Sequence, residues 1–316
     1  MKILQMRDPI VLSVIAVIQI VHWFPAFLVP RLFVKGFAFI AYHFSRNKRR
    51  VIENHLLEMF DGKLNEGLKR EIVRGVFHEF WEEKFSLVLP RSEKTVLRGV
   101  DIRGMDRLEQ ALEKGRGVIL WESNALSNRT RSKQILHAKG FTVHQVHSED
   151  HLEGFLNPHP SKTWVQRQII KRILEKFEMQ YLKEIIYLPR SDSLAFTKIL
   201  LDRLRQNAIL CVSGDAHAGQ KRIPLTLFHH IELFPTGMVS LAKISGAALL
   251  PIFCISEETG RKRLVIEPPI FIDRGLERER GLENGVSQYV RLLESYIRRY
   301  PKQYVKLAPY SKDKDD

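Results

Sequence analysis

The sequence predicts an α/β protein with a mostly parallel central sheet flanked by helices, preceded by a helical, membrane-associating N-terminal region. Three observations predict it. Short apolar runs alternate with segments of helical period from about residue 100 to residue 300. The chain has 316 residues, of which 44% are hydrophobic, enough to bury a sizeable core. Residues 9–29, PIVLSVIAVIQIVHWFPAFLV, form a nearly unbroken apolar run.

At about 1.5 Å per residue that run is almost long enough to cross a bilayer core of about 30 Å. It lacks a small-residue cleavage site and is followed by Arg31, Lys35, Arg46, Lys48, Arg49 and Arg50, so it reads as a retained anchor with its basic end at the cytoplasmic face. A buried core helix is the alternative, since Gln19, His22 and Pro25 interrupt it. Residues 33–45 and 51–60 read as helices, and residues 64–89 as a long amphipathic one with Leu68, Ile72, Val76, Phe80 and Leu87 at helical spacing.

After Pro90 the period changes. Residues 96–104 (VLRGVDIRG) look like a strand, 105–113 a helix and 117–121 a buried strand. Helices are then expected at 130–138, 164–177, 194–206, 237–245 and 286–300, the last ended by Pro301. Strands are expected at 141–147, 184–188, 208–213, 248–255 and 263–267. The domain reading is residues 1–50 as membrane-associating helices, 51–310 as one α/β domain and 311–316 as a disordered tail.

With 50 Lys and Arg against 36 Asp and Glu, the net charge is +14, which favours an anionic partner: a bilayer surface, an acidic carrier protein or nucleic acid. No zinc-knuckle spacing or Arg-rich repeat is present and the basic residues are dispersed, which argues against nucleic acid. Cys211 and Cys254 each sit in an apolar run and read as inert core thiols, with no metal or redox pairing.

The stretch SGDAHAGQKRIPLTLFHHIELFPTGMVSLAKISGAALLPIF resembles, element by element, the lauroyl and myristoyl acyltransferases of lipid A assembly, within the lysophospholipid acyltransferase-like superfamily. Asp215, Gly219, Phe228, Gly237, Leu241, Ala242, Gly246, Ala247 and Pro251 fill the matching places. NKRRVIENHLLEMF, GRGVIL and YIRRYPKQY are similar to further family segments, so the resemblance runs from about residue 33 to residue 304. It implies an acyl donor held as a thioester on acyl carrier protein or coenzyme A, with no other cofactor and no metal. It also implies an amphipathic glycolipid or phospholipid acceptor, and a place at the cytoplasmic face of a bacterial inner membrane.

The chain departs from that family at its chemical centre. Family members follow the GRGVIL-type strand with a His, four residues and an acid; the imidazole takes the acceptor hydroxyl's proton and the carboxylate orients the ring. Here Asn124 stands at the His position and Arg129 at the acid position, and neither side chain is a usable base. Replacement bases are sought near strand ends: His147 and His151, together with His144, in HQVHSEDH, and Glu122, whose carboxyl is expected to be raised in pKa by partial burial.

Asp215 in GDAHAG matches the family's functional Asp and is the firmest site residue, whereas His217 reads as an ordinary loop imidazole. Arg190 matches a family arginine and Arg172 falls near one, and Lys221 and Arg222 are basic residues of the loop after GDAHAG; these four are candidate contacts for phosphate or pantetheine. Two functions stay open at this point. One is an acyltransferase whose base has moved, and the other is a noncatalytic homologue that keeps the lipid-binding groove.

Overall fold

The structure, a computed structural model, describes residues 29–88, 92–148, 171–188, 194–215, 221–273 and 277–304, with residues 16, 164, 165, 169 and 275. The expected anchor at 9–29 and the tail at 311–316 lie almost wholly outside the described residues. No helix among the described residues is long and apolar enough to cross a membrane. The chain divides into two compact units, one of residues 1–95, 150–180 and 302–316, the other of residues 96–149 and 181–301.

Among its described residues the first unit is helical. Its helices Val29–Phe44, Arg46–Met59, Glu66–Val88 and Lys171–Glu178 follow the apolar periodicity of the sequence. Ile52, Leu56, Ile72, Val73, Val76 and Phe77 are its buried core. Phe37 packs between Trp81 and Phe85, with ring centroids at 5.3 and 5.5 Å. The outer side of the helix Val29–Phe44 is apolar and exposed: Leu32, Phe39, Ile40 and Phe44 are all more than half exposed.

The second unit is built on a seven-stranded sheet. Its strands are β1 (Asp101–Arg103), β2 (Val118–Glu122), β3 (Val143–Ser148), β4 (Leu182–Leu188), β5 (Ile209–Ser213), β8 (Ala248–Ser256) and β9 (Lys262–Ile266), in the order β1-β9-β8-β2-β5-β3-β4. All neighbours are parallel except β8 and β9. The central strands β2 and β5 are buried along their whole length, which is why they read as unbroken apolar runs rather than alternating ones. Between β5 and β8 the chain makes a separate antiparallel hairpin, β6 (Arg222–Leu227) and β7 (His230–Pro235).

One face of the sheet carries Leu120, Cys211, Leu250 and Leu264 into a core shared with Leu108, Ala111, Ile135 and Leu136 of the helices Met105–Glu113 and Arg129–Ala138. On the other face Trp121 stacks on Tyr289 of the helix Arg278–Arg299 at 4.2 Å, and Phe253 on Tyr296 at 4.2 Å. Both cysteines are buried and free, as the sequence predicts.

Two expectations need correction. Residues 96–104 are not one strand: a short helix, Glu93–Leu97, precedes a three-residue β1. The last helix starts at Arg278, well before residue 286. It runs through Gly285, whose missing Cβ would stand 2.8 Å from Val239 Cγ1, so glycine is there for close packing rather than to break a helix.

Candidate functional site

β2 ends at Glu122 and the chain turns sharply through Ser123, Asn124 and Ala125 at the C-terminal end of the sheet, where open α/β sheets hold their sites. Asp215, two residues beyond the neighbouring β5, fixes this turn. Its Oδ1 accepts the Asn124 backbone N–H at 2.6 Å, and its Oδ2 accepts the Ala125 N–H and the Ser123 Oγ–H, both at 2.8 Å. Asp215 is only 4% exposed, and the donors of the turn satisfy both of its carboxyl oxygens.

Gly214, between β5 and Asp215, leaves room for the stacked rings of Trp121 and Tyr289. A Cβ there would meet Trp121 Nε1 at 2.5 Å and Tyr289 Cε1 at 2.6 Å. The Glu122 carbonyl accepts both the Gly214 N–H at 2.8 Å and the Tyr289 hydroxyl at 2.9 Å, which closes the strand end. Burial, with the Asp215 charge adding to it, pushes the Tyr289 hydroxyl's pKa well up, so it stays a neutral donor.

Asn124 is half-buried, and its Oδ1 accepts the Ser213 Oγ–H at 2.7 Å. With that oxygen engaged, the carboxamide has its Nδ2 hydrogens to donate. Where an imidazole would act as a base, this chain therefore holds a neutral hydrogen-bond donor.

Arg129 begins the helix Arg129–Ala138 and points its Nη2 at Glu122 Oε1, 3.1 Å away. Lys133, one turn later, reaches the same carboxylate at 3.3 Å, and Gln145 Nε2 of β3 donates to it at 3.0 Å. Glu122 is 2% exposed. The expectation of a raised pKa fails here: burial does push the carboxyl up, but the Lys133 and Arg129 charges together outweigh it and hold the pKa at about 2. Glu122 is thus a permanent anion inside an ion cluster and not an acid or base near neutrality.

The structure brings Glu122, Asn124, Arg129 and Asp215 together around one turn. His147 sits buried near the end of β3, two residues beyond Gln145 and on the same face of the sheet. His144, on the opposite face of β3, contacts Glu184 of β4 at 3.0 Å. Arg172 is exposed on the helix Lys171–Glu178 of the first unit. Lys221 is exposed, and Arg222 is half-buried at the start of β6. His151, Arg190 and His217 lie outside the described residues.

Sequence reasoning missed Lys133, Gln145 and Tyr289. Lys133 was legible in part, since it lies four residues after Arg129 on a helix and so shares its face. Gln145 and Tyr289 reach the site only through tertiary folding. A site of another kind, His78, Glu79 and Glu82 on the helix Glu66–Val88, places one ligand atom from each within 4.8 Å of the others, a spacing that could hold a metal ion.

Beside the turn a cavity of about 10 Å³, bordered by Glu122, Ser123, Leu126 and Arg129, has room for about one water and no more. A larger groove of about 300 Å³ lies elsewhere in the unit, between β9 and the last helix, with Arg263, Tyr296 and Arg299 on its walls.

A mostly parallel sheet whose strand-end turn is tethered by an aspartate from beyond the neighbouring strand defines an α/β protein. The family model for bacterial lipid A biosynthesis acyltransferases matches residues 156–312, and the chain belongs to that family. No curated protein matches the chain. Membership implies acyl transfer in lipid A biosynthesis, carried out in that family by bacterial membrane-associated enzymes. The matched residues include Asp215 but not the turn that bears Asn124.

Proposed function

We propose that this protein transfers a fatty acyl chain from a thioester on acyl carrier protein or coenzyme A to a hydroxyl of a membrane glycolipid or phospholipid, at the cytoplasmic face of a bacterial inner membrane. The observation that carries the reading is the Asp215-tethered turn at the strand ends of a chain that belongs to the lipid A acyltransferase family. In this scheme the acceptor oxygen attacks the thioester carbonyl carbon, a C–O bond forms, the C–S bond breaks, and the hydroxyl proton ends on the departing thiol. Asn124 Nδ2 donates to the carbonyl oxygen as it becomes an oxyanion, a contribution that donors of this kind make by being fixed in advance. Asp215 is a positioning residue. The proton passes through His147 or His151, because Glu122 is held ionised by Arg129 and Lys133. Arg172, Arg190, Lys221 and Arg222 are assigned to the phosphates of donor and acceptor. The exposed Leu32, Phe39, Ile40 and Phe44 support membrane attachment through the first 50 residues.

A second reading, a noncatalytic homologue that binds lipid or acyl groups, is favoured by one observation. Both family motif positions are engaged in structural contacts: Asn124 with Ser213, and Arg129 with Glu122. Turnover of acyl carrier protein thioester with a lipid acceptor separates the two. Transfer that falls by about a hundredfold in Asn124→Ala, on the scale of one lost oxyanion donor, supports the enzyme; no thioester consumption by the wild-type protein with any lipid acceptor supports the second reading. Rebuilding the family pair by Asn124→His with Arg129→Glu is expected to fail, because the new carboxylate would stand beside Glu122 in place of its cation.

A further inference from the structure

The β6–β7 hairpin leaves from the same end of the sheet as the turn: Arg222 lies seven residues beyond Asp215. Its two faces differ. In the antiparallel register Arg222 pairs with Pro235, Pro224 with Leu233 and Thr226 with Ile231, so these six residues share one face. Ile231 is 69% exposed and Leu233 52%, and Pro224 and Thr226 are exposed too. The opposite face buries Leu227 and Phe234.

The charges are sorted as well. From Arg222 to Pro235 the single acid is Glu232, which pairs with Leu225 and therefore lies on the face turned away from Ile231 and Leu233. The outward face is aliphatic, with the cation Arg222 at its base; Lys221, next to it along the chain, is exposed at the hairpin's root. Phe228 takes φ 57° at the first position of the two-residue loop, where glycine is usual. Arg298 over its ring at 4.9 Å and Glu294 accepting its N–H at 3.3 Å fix the ribbon to the last helix. The hairpin is thus anchored by its loop and by one face, and its aliphatic face is left uncovered.

We infer that this face is a second membrane contact, independent of the N-terminal region, in which Ile231 and Leu233 enter the headgroup boundary of an anionic bilayer while Lys221 and Arg222 meet lipid phosphates. A bilayer is the occupant because exposed aliphatic side chains flanked by cations, without an acid among them, match a surface that is apolar beneath and negative above. The inference deepens the acyl-transfer reading. Docking the hairpin brings the strand ends carrying Asn124 to the depth at which a lipid acceptor presents its hydroxyls.

The two native cysteines are buried, so a single cysteine introduced at Ile231 can be labelled selectively with an environment-sensitive fluorophore. Full-length Ile231→Cys protein is mixed with phosphatidylcholine vesicles containing phosphatidylglycerol, and with a Glu109→Cys control labelled on the helix Met105–Glu113. The position-231 probe is expected to shift to the blue and to be quenched by brominated lipid, whereas the control is unchanged. In unlabelled protein, Ile231→Asp with Leu233→Asp is expected to weaken partitioning by about tenfold or more at unchanged Tm, on the scale of one buried aliphatic side chain. A vesicle-bound protein whose position-231 emission does not move overturns the inference, and so does a shift produced by acyl carrier protein without lipid but not by vesicles. Vesicle binding needs no turnover, so a failed acyl-transfer assay leaves this result standing.

Discussion

Glu122 and Asp215 are two buried carboxylates at neighbouring strand ends, and the fold satisfies them by opposite means. Asp215 accepts three hydrogen bonds from neutral donors of one turn. Glu122 faces two cations and an amide brought by a helix and by β3. The first arrangement fixes backbone geometry, and the second balances charge. A neutral-donor cradle tells the chain where to turn, so its loss should be felt at the site. A charge cluster tells the helix Arg129–Ala138 where to sit, so its loss should be felt in stability.

The largest expected effect breaks the charge cluster. Glu122→Ala leaves Arg129 and Lys133 buried or nearly so without their carboxylate, and removing one partner of such a set costs about 3–5 kcal/mol. Urea unfolding of the full chain measures it; a loss below about 1 kcal/mol would show that the cluster is solvated.

Asp215→Ala comes next. It orphans donors at Ser123, Asn124 and Ala125, with an expected cost of about 2–3 kcal/mol after partial rescue by water. Acyl transfer should fall further than the stability loss explains, which the fully folded fraction at low temperature can report. Asp215→Asn that keeps both Tm and full activity would remove the residue from the site.

Tyr289→Phe tests the shared strand end with a smaller change. It deletes one hydrogen bond to the Glu122 carbonyl while keeping the ring on Trp121, and should cost about 1 kcal/mol. The cost should be similar from pH 6 to pH 8, because the hydroxyl does not ionise there.

The subtlest test uses acid. A carboxylate held at about 2 against an ordinary 4.5 contributes stability that is fully present above pH 4.5 and is lost as pH falls toward 2. Glu184 shares that window: the Arg203 hydrogen bonds, with His144 adding to them, hold it at about 2 as well. Wild-type stability should therefore decline below pH 4.5. Glu122→Gln should decline less steeply, and Glu122→Gln with Glu184→Gln least. An identical slope in all three would show that neither carboxylate is held down by its neighbours.

Much of the sheet was legible because parallel strands buried on both faces leave solid apolar runs, as in VILW and ILCV. The helix Gly237–Ser245 was legible to the residue. The β6–β7 hairpin was not read as one, although Ile223, Leu225 and Leu227 alternate, because its loop is Phe228-His229 and offers no glycine or asparagine as a turn signal. The first turns of the last helix were hidden by Gly281 and Gly285, whose low helix propensity gives no hint that Val239 packs against the second. At the site, Asp215, Asn124 and Arg129 could be placed through the resemblance of GDAHAG and of the segment after GRGVIL to family segments. Of the other partners that decide Glu122's charge, Lys133 was legible only in part and Gln145 not at all, because they meet it only when β2, β3 and the helix between them are assembled.

Trp121 gives the strand end its own optical signature. The indole is fully buried, its Nε1 finds no hydrogen-bond partner among the described residues, and its ring lies on Tyr289 at 25°. An indole shielded from water emits at short wavelength, and two rings locked at a fixed angle couple their transitions into a strong near-ultraviolet dichroic band. Loss of that band on adding an acyl donor, with the far-ultraviolet spectrum unchanged, would register movement at the Ser123–Ala125 turn without any label.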